Sequence, residues 1–317
     1  MLAYTIRKIV YNIPIYLAVV LLMMLLLRVR DPVAGQLGKN ASAEEYAAKK
    51  VELGLDRPIW EQYGNLLWSM ATLDFTRETW TEPGVTVGEK LYKAVPKSLA
   101  LTLPALFLTT LFSIVIAMIS AFNRGRWLDR LLVFLAVLGM SVSFLVYIIF
   151  GQYFGAFRLQ QLLGTPVFAI HGYEDGIQNW PFYVLLPVMI SVIVSMGYDT
   201  RFYRAVMVGE TEAEYITTAR AKGASRTKIM FVHMLRNAMI PIITRVMITL
   251  PFLVTGSILL EQFFGIPGMG YTLLSAITNG DFPVVEVFTA VFAGLFILSL
   301  IATDILYALF DPRVRLQ

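Results

Sequence analysis

The sequence predicts an all-α membrane protein with six transmembrane helices, an N-in, C-in topology, and a small helical extracytoplasmic cap after the first helix. Two observations lead to this fold class. The chain is 57% hydrophobic with a mean hydropathy of +0.67, which is more apolar than a globular domain requires. Its apolar residues are also gathered into long uncharged runs separated by polar segments, as expected of helices that cross a bilayer.

Each apolar run is long enough to form a transmembrane helix, which takes roughly 17–25 residues. The predicted spans are Ile9–Leu27, Ser98–Phe122, Leu131–Phe157, Phe182–Tyr198, Ala238–Leu260 and Val287–Thr303. The first run exceeds the roughly 7–15 apolar residues of a signal peptide and lacks a following A-x-A cleavage site, so we expect an uncleaved anchor.

The distribution of Lys and Arg predicts the orientation of these spans. Positive residues are concentrated in the short segments that face the cytoplasm in an N-in, C-in arrangement, whereas the outside loops 158–181 and 261–286 contain only Arg158. The cytoplasmic segments are 1–8, 123–130, 199–237 and 308–317. The same bias explains the net charge of +4 without a nucleic-acid partner.

The boundaries of the spans divide the chain into four predicted units. They are 1–27, the N-terminal cytoplasmic end and first helix; 28–97, the cap; 98–310, a core of five helices that includes a polar loop at 210–241; and 311–317, a cytoplasmic tail. Within the cap, Ser42 and Glu45 form a capping-box pattern that begins a helix ending near Gly54. Pro58 begins a second helix, and VTVGEKLYKAV predicts a third that leads into the second span.

Between the fourth and fifth spans the chain contains the polar segment EYITTARAKGASRTKIMFVHMLRNAMIP. Thr211 and Glu214 form another capping-box pattern, which predicts a helix over 212–222. Gly223 follows where a helix ends in the left-handed conformation that glycine adopts without strain. Ser225 can cap a second helix that continues into the fifth span.

Two interpretations of this short helix stay open on physical grounds. A solvated loop would account for its basic residues through the positive-inside rule. A docking element would account in addition for the cap, the glycine stop and the small residues. Helical spacing places Tyr215, Ala219 and Lys222 on one face, with the small Ala224 nearby.

The polar segment resembles the EAA loop of permease subunits in ABC importers, in the form found in the dipeptide/oligopeptide branch. The resemblance covers nearly the whole chain through motifs in the same order: MLAYTIRKIVYNIPIYLAVVLLMMLLLRVRDP, ELGLDRPIWEQYGNLLWSM, EQFFGIPGMG, NGDFPVV and DILYALFDPRVR. In two places the chain departs from the family pattern. Thr217 and Thr218 replace the glutamate and the first alanine of the general motif, and TLDFTRE replaces a Gly-Asp-x-Gly-x-Ser-like turn.

The resemblance implies a type I ABC importer permease fold in a bacterial or archaeal inner membrane. It implies a non-catalytic chain that binds no cofactor, and the sequence indeed lacks the G-x-x-x-x-G-K-[ST] motif that holds ATP phosphates. The implied partners are a second homologous permease, two cytosolic ABC ATPase subunits that use the ATP, and an extracytoplasmic substrate-binding protein. The residues that it assigns to ATPase coupling are Glu214, Tyr215, Ala219, Lys222, Gly223 and Ala224.

The resemblance favours peptides as substrates, with nickel complexes or oligosaccharides as alternatives from the same branch. A rival of another class is an ion-coupled secondary transporter acting alone, which would show internal repeats and an acidic residue deep in a span; neither is evident. A membrane-embedded hydrolase would need a nucleophile or a metal site. The chain has no cysteine, and His171 and His233 are far apart in sequence.

Two further features lie within predicted spans. Arg245 is the one charged residue in the first five spans; it either snorkels to the interface as an anchor or lines a pathway and attracts a peptide carboxylate. Both interpretations stay open. The small-xxx-small spacing of Gly151 and Gly155 in GQYFG predicts close packing between helices.

Overall fold

The computed structural model describes residues 2–29, 42–249 and 257–310, together with Asp31, Val33, Leu37 and Leu253. The described residues form helices and connecting turns, and their only β structure is an isolated bridge between Glu78 and Thr86. The all-α prediction is therefore confirmed. The predicted tail at 311–317 and part of the predicted fifth span lie outside the described residues.

The helices are numbered here in chain order. They are α1 Leu2–Val29, α2 Ala43–Glu52, α3 Ile59–Thr72, α4 Val87–Phe122, α5 Trp127–Ser141, α6 Phe144–Leu163, α7 Trp180–Tyr183, α8 Leu185–Thr211, α9 Glu214–Ala221, α10 Arg226–Thr249, α11 Ile258–Phe264, α12 Met269–Asn279 and α13 Phe282–Phe310. Two of them contain a π-helical stretch, over Gly151–Arg158 in α6 and over Ile229–Met234 in α10.

Five described helices are long and apolar enough to cross a membrane: α1, α4, α8, α10 and α13. A sixth span is present if α5 and α6 are counted together as one broken span. These two helices meet at an angle of 94°. The predicted unbroken span Leu131–Phe157 is therefore wrong in this respect. The break lies at Ser141-Val142-Ser143, where Val142 is extended. The two serines favour a break because serine side chains compete for backbone hydrogen-bond partners within helices.

Two other predicted spans are longer than expected. The third cap helix and the second span form one continuous helix, α4, capped by Thr86, whose hydroxyl accepts a hydrogen bond from the Glu89 amide at 3.2 Å. The fourth span continues to Thr211 as α8 rather than ending at Tyr198. Each junction contains a residue of a type that often ends or caps a helix, Ser98 in α4 and Gly197 in α8, but the helix continues through both.

Ion pairs identify the two ends of the helix bundle. At one end, called the cap end here, Arg77 of the cap contacts Glu286 near the start of α13 at 2.8 Å. Since α4 and α13 both begin at the cap end, their last turns lie at the opposite, distal end. Lys8 pairs with Asp304 at 2.7 Å there. The first turns of α1, the last turns of α13 and the α4–α5 turn thus share one end, as the N-in, C-in prediction requires.

The cap contacts the bundle through a buried leucine and a buried carboxylate, and its own helices begin at the predicted residues. Its α2 begins with the predicted capping box, in which Ser42 Oγ accepts from the Glu45 amide at 3.2 Å. Its α3 begins after Pro58 as predicted and buries Leu66 against α1 and α13. Fully buried Asp281, just before α13, accepts hydrogen bonds from the cap, including one from the Thr81 hydroxyl at 2.6 Å.

The glycines of GQYFG pack closely against α8, which confirms the predicted role of their spacing. A Cβ at Gly151 would lie 2.5 Å from Ile190 Cδ1, and a Cβ at Gly155 would lie 2.9 Å from Leu186 Cδ1. Neither position has room for a side chain without movement of its neighbour. The two glycines therefore set the approach of α6 to α8.

Candidate functional site

The polar segment forms a short helix, α9, between α8 and α10. It begins at Glu214 after Ala213 and ends at Ala221. The predicted Thr211 capping box is wrong, because α8 continues through Thr211 and leaves this residue helical rather than extended. The Thr211 hydroxyl instead donates to the Val208 carbonyl at 2.7 Å.

The predicted glycine stop is confirmed. Gly223 has a φ of +77°, its amide donates to the Arg220 carbonyl, and the Ala224 amide donates to the Ala219 carbonyl, both at 3.0 Å. This pair of bonds is the Schellman arrangement that satisfies the last carbonyls of a helix. Ser225 then caps α10, as predicted, by accepting from the Lys228 amide at 3.3 Å.

The helix α9 has one face toward the bundle and one face toward solvent. Ile216 is 2% exposed and Ala219 is 8% exposed, and both pack in a cluster that includes Met207 of α8 and Met234 of α10. The solvent-facing side carries polar and small residues. These exposed residues are Glu214, Thr217, Thr218, Arg220, Ala221 and Lys222.

The predicted single face of Tyr215, Ala219 and Lys222 is therefore divided. Ala219 is buried, Tyr215 is partly buried, and Lys222 is exposed. The face that packs on the bundle is centred on Ile216 and Ala219, so it includes only part of the predicted face. The Tyr215 hydroxyl is hydrogen-bonded to Glu210 at the end of α8. Burial, together with that bond, raises the pKa of Tyr215 to about 12, so the phenol stays neutral.

Polar contacts join the ends of α9 to the turn between α4 and α5. Arg124 in that turn forms an ion pair with Glu212, directly before α9. After α9, the Arg226 guanidinium lies 3.9 Å from the centroid of the Phe122 ring and donates to the Phe122 carbonyl at 3.2 Å. Between these contacts lies a cavity of about 390 Å³, whose walls include Arg220 and Arg226.

A buried carboxylate holds α4, α5 and α8 together at the same distal end. Asp129 on α5 is 3% exposed. It accepts from Arg204 Nε at 2.7 Å and Nη2 at 2.8 Å, from Ser120 Oγ at 2.5 Å and from the Gly125 amide at 2.9 Å. Sequence reasoning missed this network, because Asp129 and Arg204 are far apart in the chain and each resembles an ordinary interfacial charge.

Arg245 on α10 forms an ion pair with Asp199 on α8, with Nε and Oδ1 3.1 Å apart. Asp199 is only 7% exposed and lies within α8. The expectation that no acidic residue lies deep in a span is therefore wrong, since it assumed that the fourth span ends at Tyr198. The charge of Arg245 is offset by this carboxylate. A pathway role for Arg245 stays a prediction.

At the cap end, the motif EQFFGIPGMG surrounds a buried glutamate. Glu261 is fully buried and accepts from Ser98 Oγ at 2.6 Å and from the Tyr271 amide at 2.9 Å. Ser98 Oγ in turn accepts from the Met269 amide at 2.8 Å. Burial raises the pKa of the Glu261 carboxyl, against the lowering effect of these hydrogen bonds. The motif is thus organised into α11 and the start of α12.

Comparison with known proteins relates this chain to a family of transport proteins. Residues 113–316 match the family described as binding-protein-dependent transport system inner membrane component. A relative from Brucella abortus (strain 2308), named for a peptide transport system permease, is 32% identical over 324 residues. The glutathione transport system permease protein GsiC of Salmonella typhimurium (strain LT2) is 32% identical over 321 residues. Both alignments cover 99% of this chain and 99% of the relative.

A third relative, from Sinorhizobium fredii (strain NBRC 101917 / NGR234), is named for a peptide ABC transporter permease. It is 29% identical over 314 residues, covering 98% of this chain and 99% of that protein. The family match, the full-length relatives and the several apolar helices agree. The chain belongs to the family of binding-protein-dependent transport system inner membrane components and is a multi-pass ABC importer permease.

Proposed function

We propose that this permease imports peptides by coupling to a separate cytosolic ATPase through α9. The observation that carries the proposal is the two-sided construction of this helix. Its polar side faces solvent, while Ile216 and Ala219 hold its other side against α8 and α10. A helix that is exposed on one side and rigidly seated on the other suits the transmission of motion from a partner.

The seating of α9 suggests how an ATPase would move the spans. A displacement of α9 acts on α8 through the Tyr215–Glu210 hydrogen bond and on α10 through the Schellman turn at Gly223. The Asp129–Arg204 pair links α8 to α5. ATP binding and hydrolysis in the partner would therefore shift these helices together as rigid bodies, which is the basis of alternating access.

The remaining parts of the importer follow from the same proposal. This chain forms half of the pathway with a second, similar permease, and two ATPase subunits dock at the two α9 helices. An extracytoplasmic binding protein delivers the substrate to the cap end. The chain itself binds no cofactor and performs no hydrolysis. Peptides are the proposed substrates because the relatives are named for peptide or glutathione transport.

The substitution Gly223→Asp tests the docking role of α9. The backbone strain of a left-handed aspartate is about 1–2 kcal/mol, and a Cβ at Gly223 meets nothing within 4 Å in this chain, so the spans should still form. We expect normal amounts of protein in the membrane but loss of peptide uptake, with the ATPase dissociated or uncoupled. Gly223→Ala, which adds no charge, should be milder.

Gly54→Asp is the matched control. Gly54 has a φ of +67° and equally open surroundings, but it lies in the cap, at the other end of the bundle. Gly54→Asp therefore introduces the same strain and charge away from α9, and the ATPase should stay bound as in the wild type. Full uptake by Gly223→Asp with the ATPase still bound, or equal loss of the ATPase from both variants, would contradict the proposal.

A further inference from the structure

A groove of about 610 Å³ opens where α5 and α6 meet at their 94° bend. Among the residues that the structure describes, its polar lining consists of five serines and a tyrosine from three parts of the chain. These residues are Ser141, Ser143, Ser191, Ser195, Tyr198 and Ser257. The volume falls within the range of roughly 300–1,000 Å³ that is usual for small-molecule sites.

The position of the groove requires an aqueous or polar surrounding. Val142 and Ser143 interrupt the helix in the middle of the bent span, and non-helical backbone at membrane depth is tolerated only where it is buried in protein or lines a water-filled cavity. Ser143 is exposed in this chain, which agrees with a cavity of the second kind.

The wall formed by α8 is a polar stripe within an apolar helix. Ser191, Ser195 and Tyr198 lie at positions i, i+4 and i+7, so their side chains share one face. Within the part of the chain that the structure describes, the hydroxyls of Ser191 and Ser195 make no hydrogen bond. A serine inside a span ordinarily bonds to the carbonyl four residues earlier, as Ser141 does to Val137 at 2.7 Å. These two hydroxyls are available to a ligand.

The groove is neutral and combines hydroxyl groups with four apolar side chains, those of Met140, Val142, Phe144 and Val194. None of the described residues that line it is charged, and Asp199, which follows Tyr198, is buried in its ion pair with Arg245. Serine hydroxyls both donate and accept hydrogen bonds. Such a surface matches the N–H and C=O groups of a peptide main chain, and it offers no fixed charge to attract or repel particular side chains.

We infer that this groove is a main-chain binding site for peptides in the part of the pathway that this chain supplies. The inference rests on the proposed import of peptides and adds the site and its mode of recognition. Because the contacts are made to main-chain amides by neutral hydroxyls, the groove accepts peptides with different side chains. Selection among peptides is left to other parts of the importer.

The test uses the complete importer, with its ATPase and binding protein, reconstituted in vesicles. Uptake of trialanine and of a tripeptide with a lysine side chain is measured for Ser191→Ala, Ser195→Ala and the double variant. Each lost hydroxyl should reduce uptake by about 2- to 10-fold, the range of a net hydrogen bond, and by the same factor for both peptides. Ser299→Ala, a serine of α13 outside the groove, serves as the control and should leave uptake unchanged.

A second measurement is independent of transport rates. The chain has no cysteine, so Ser195→Cys introduces a single thiol in this subunit. We expect a water-soluble thiol reagent to modify it, and trialanine to slow that reaction. If wild-type vesicles take up peptide with ATP but the serine variants are unaffected, or if the thiol is inert or unprotected by peptide, the groove inference is overturned. If wild-type vesicles show no ATP-dependent peptide uptake, the proposed function itself fails.

Discussion

The network around Asp129 offers a quantitative test of how the distal end is held together. Replacing Asp129 by Asn keeps the shape but removes the charge that faces Arg204 and presents an amide N–H₂ to donors. Removing one partner of a buried ion pair costs about 3–5 kcal/mol. Since the Arg204 side chain keeps 25% exposure, water screens part of the loss, and we expect a value near the lower end, about 3 kcal/mol.

The double-mutant cycle with Arg204→Met separates pairing from general damage. Asp129→Asn and Arg204→Met should each lower the midpoint of thermal unfolding in detergent, followed by tryptophan fluorescence at one fixed scan rate, because unfolding of such proteins is often irreversible. The double variant removes the unpaired charge. Its midpoint should therefore fall by clearly less than the sum of the single changes. Simple additivity would show that the two side chains do not stabilise the fold as a pair.

Two further predictions concern other buried contacts. In Gly268→Ala the new Cβ would lie 2.5 Å from Ser98 Oγ, so overpacking should destabilise the protein by about 1–3 kcal/mol. The control is Gly64→Ala, whose new Cβ meets nothing within 4 Å. Equal midpoints of thermal unfolding for the two variants would contradict the close packing at Gly268. Arg245→Ala leaves Asp199 without its partner. If Arg245 lines the pathway, peptide uptake should fall while the amount of protein in the membrane and its assembly with the ATPase are kept. Normal uptake with a reduced amount of protein would instead support an anchoring role.

Local signals in the sequence were sufficient for several elements of the site. Gly223 and Ser225 predicted the end of α9 and the start of α10, because a left-handed stop and a serine cap depend on a few neighbouring residues. Ser42 predicted the start of α2 for the same reason. Hydrophobic run length likewise predicted the all-α membrane fold, since it depends only on composition along the chain.

Features that depend on distant residues could not be predicted from one sequence. The burial of Ile216 is decided by residues of α8 and α10, and the Asp129–Arg204 pair joins helices separated by many residues. The 94° angle between α5 and α6 could not be predicted, because the local sequence does not specify the direction in which the chain continues after a break. The Ser141-Val142-Ser143 triplet was a weak sign of the break itself, since two serines flank a β-branched residue in an otherwise apolar helix.

Cross-linking from the exposed face of α9 tests the docking claim most directly. The subunit lacks cysteine, so Thr218→Cys can carry a single photoreactive label in the assembled importer. Thr278→Cys on α12 is a matched control, since both threonines are exposed and both hydroxyls bond to a carbonyl four residues earlier. We predict an adduct with the ATPase subunit from position 218 and none from position 278. An importer that still transports peptide and hydrolyses ATP, yet yields no ATPase adduct from Thr218→Cys, would contradict coupling through α9.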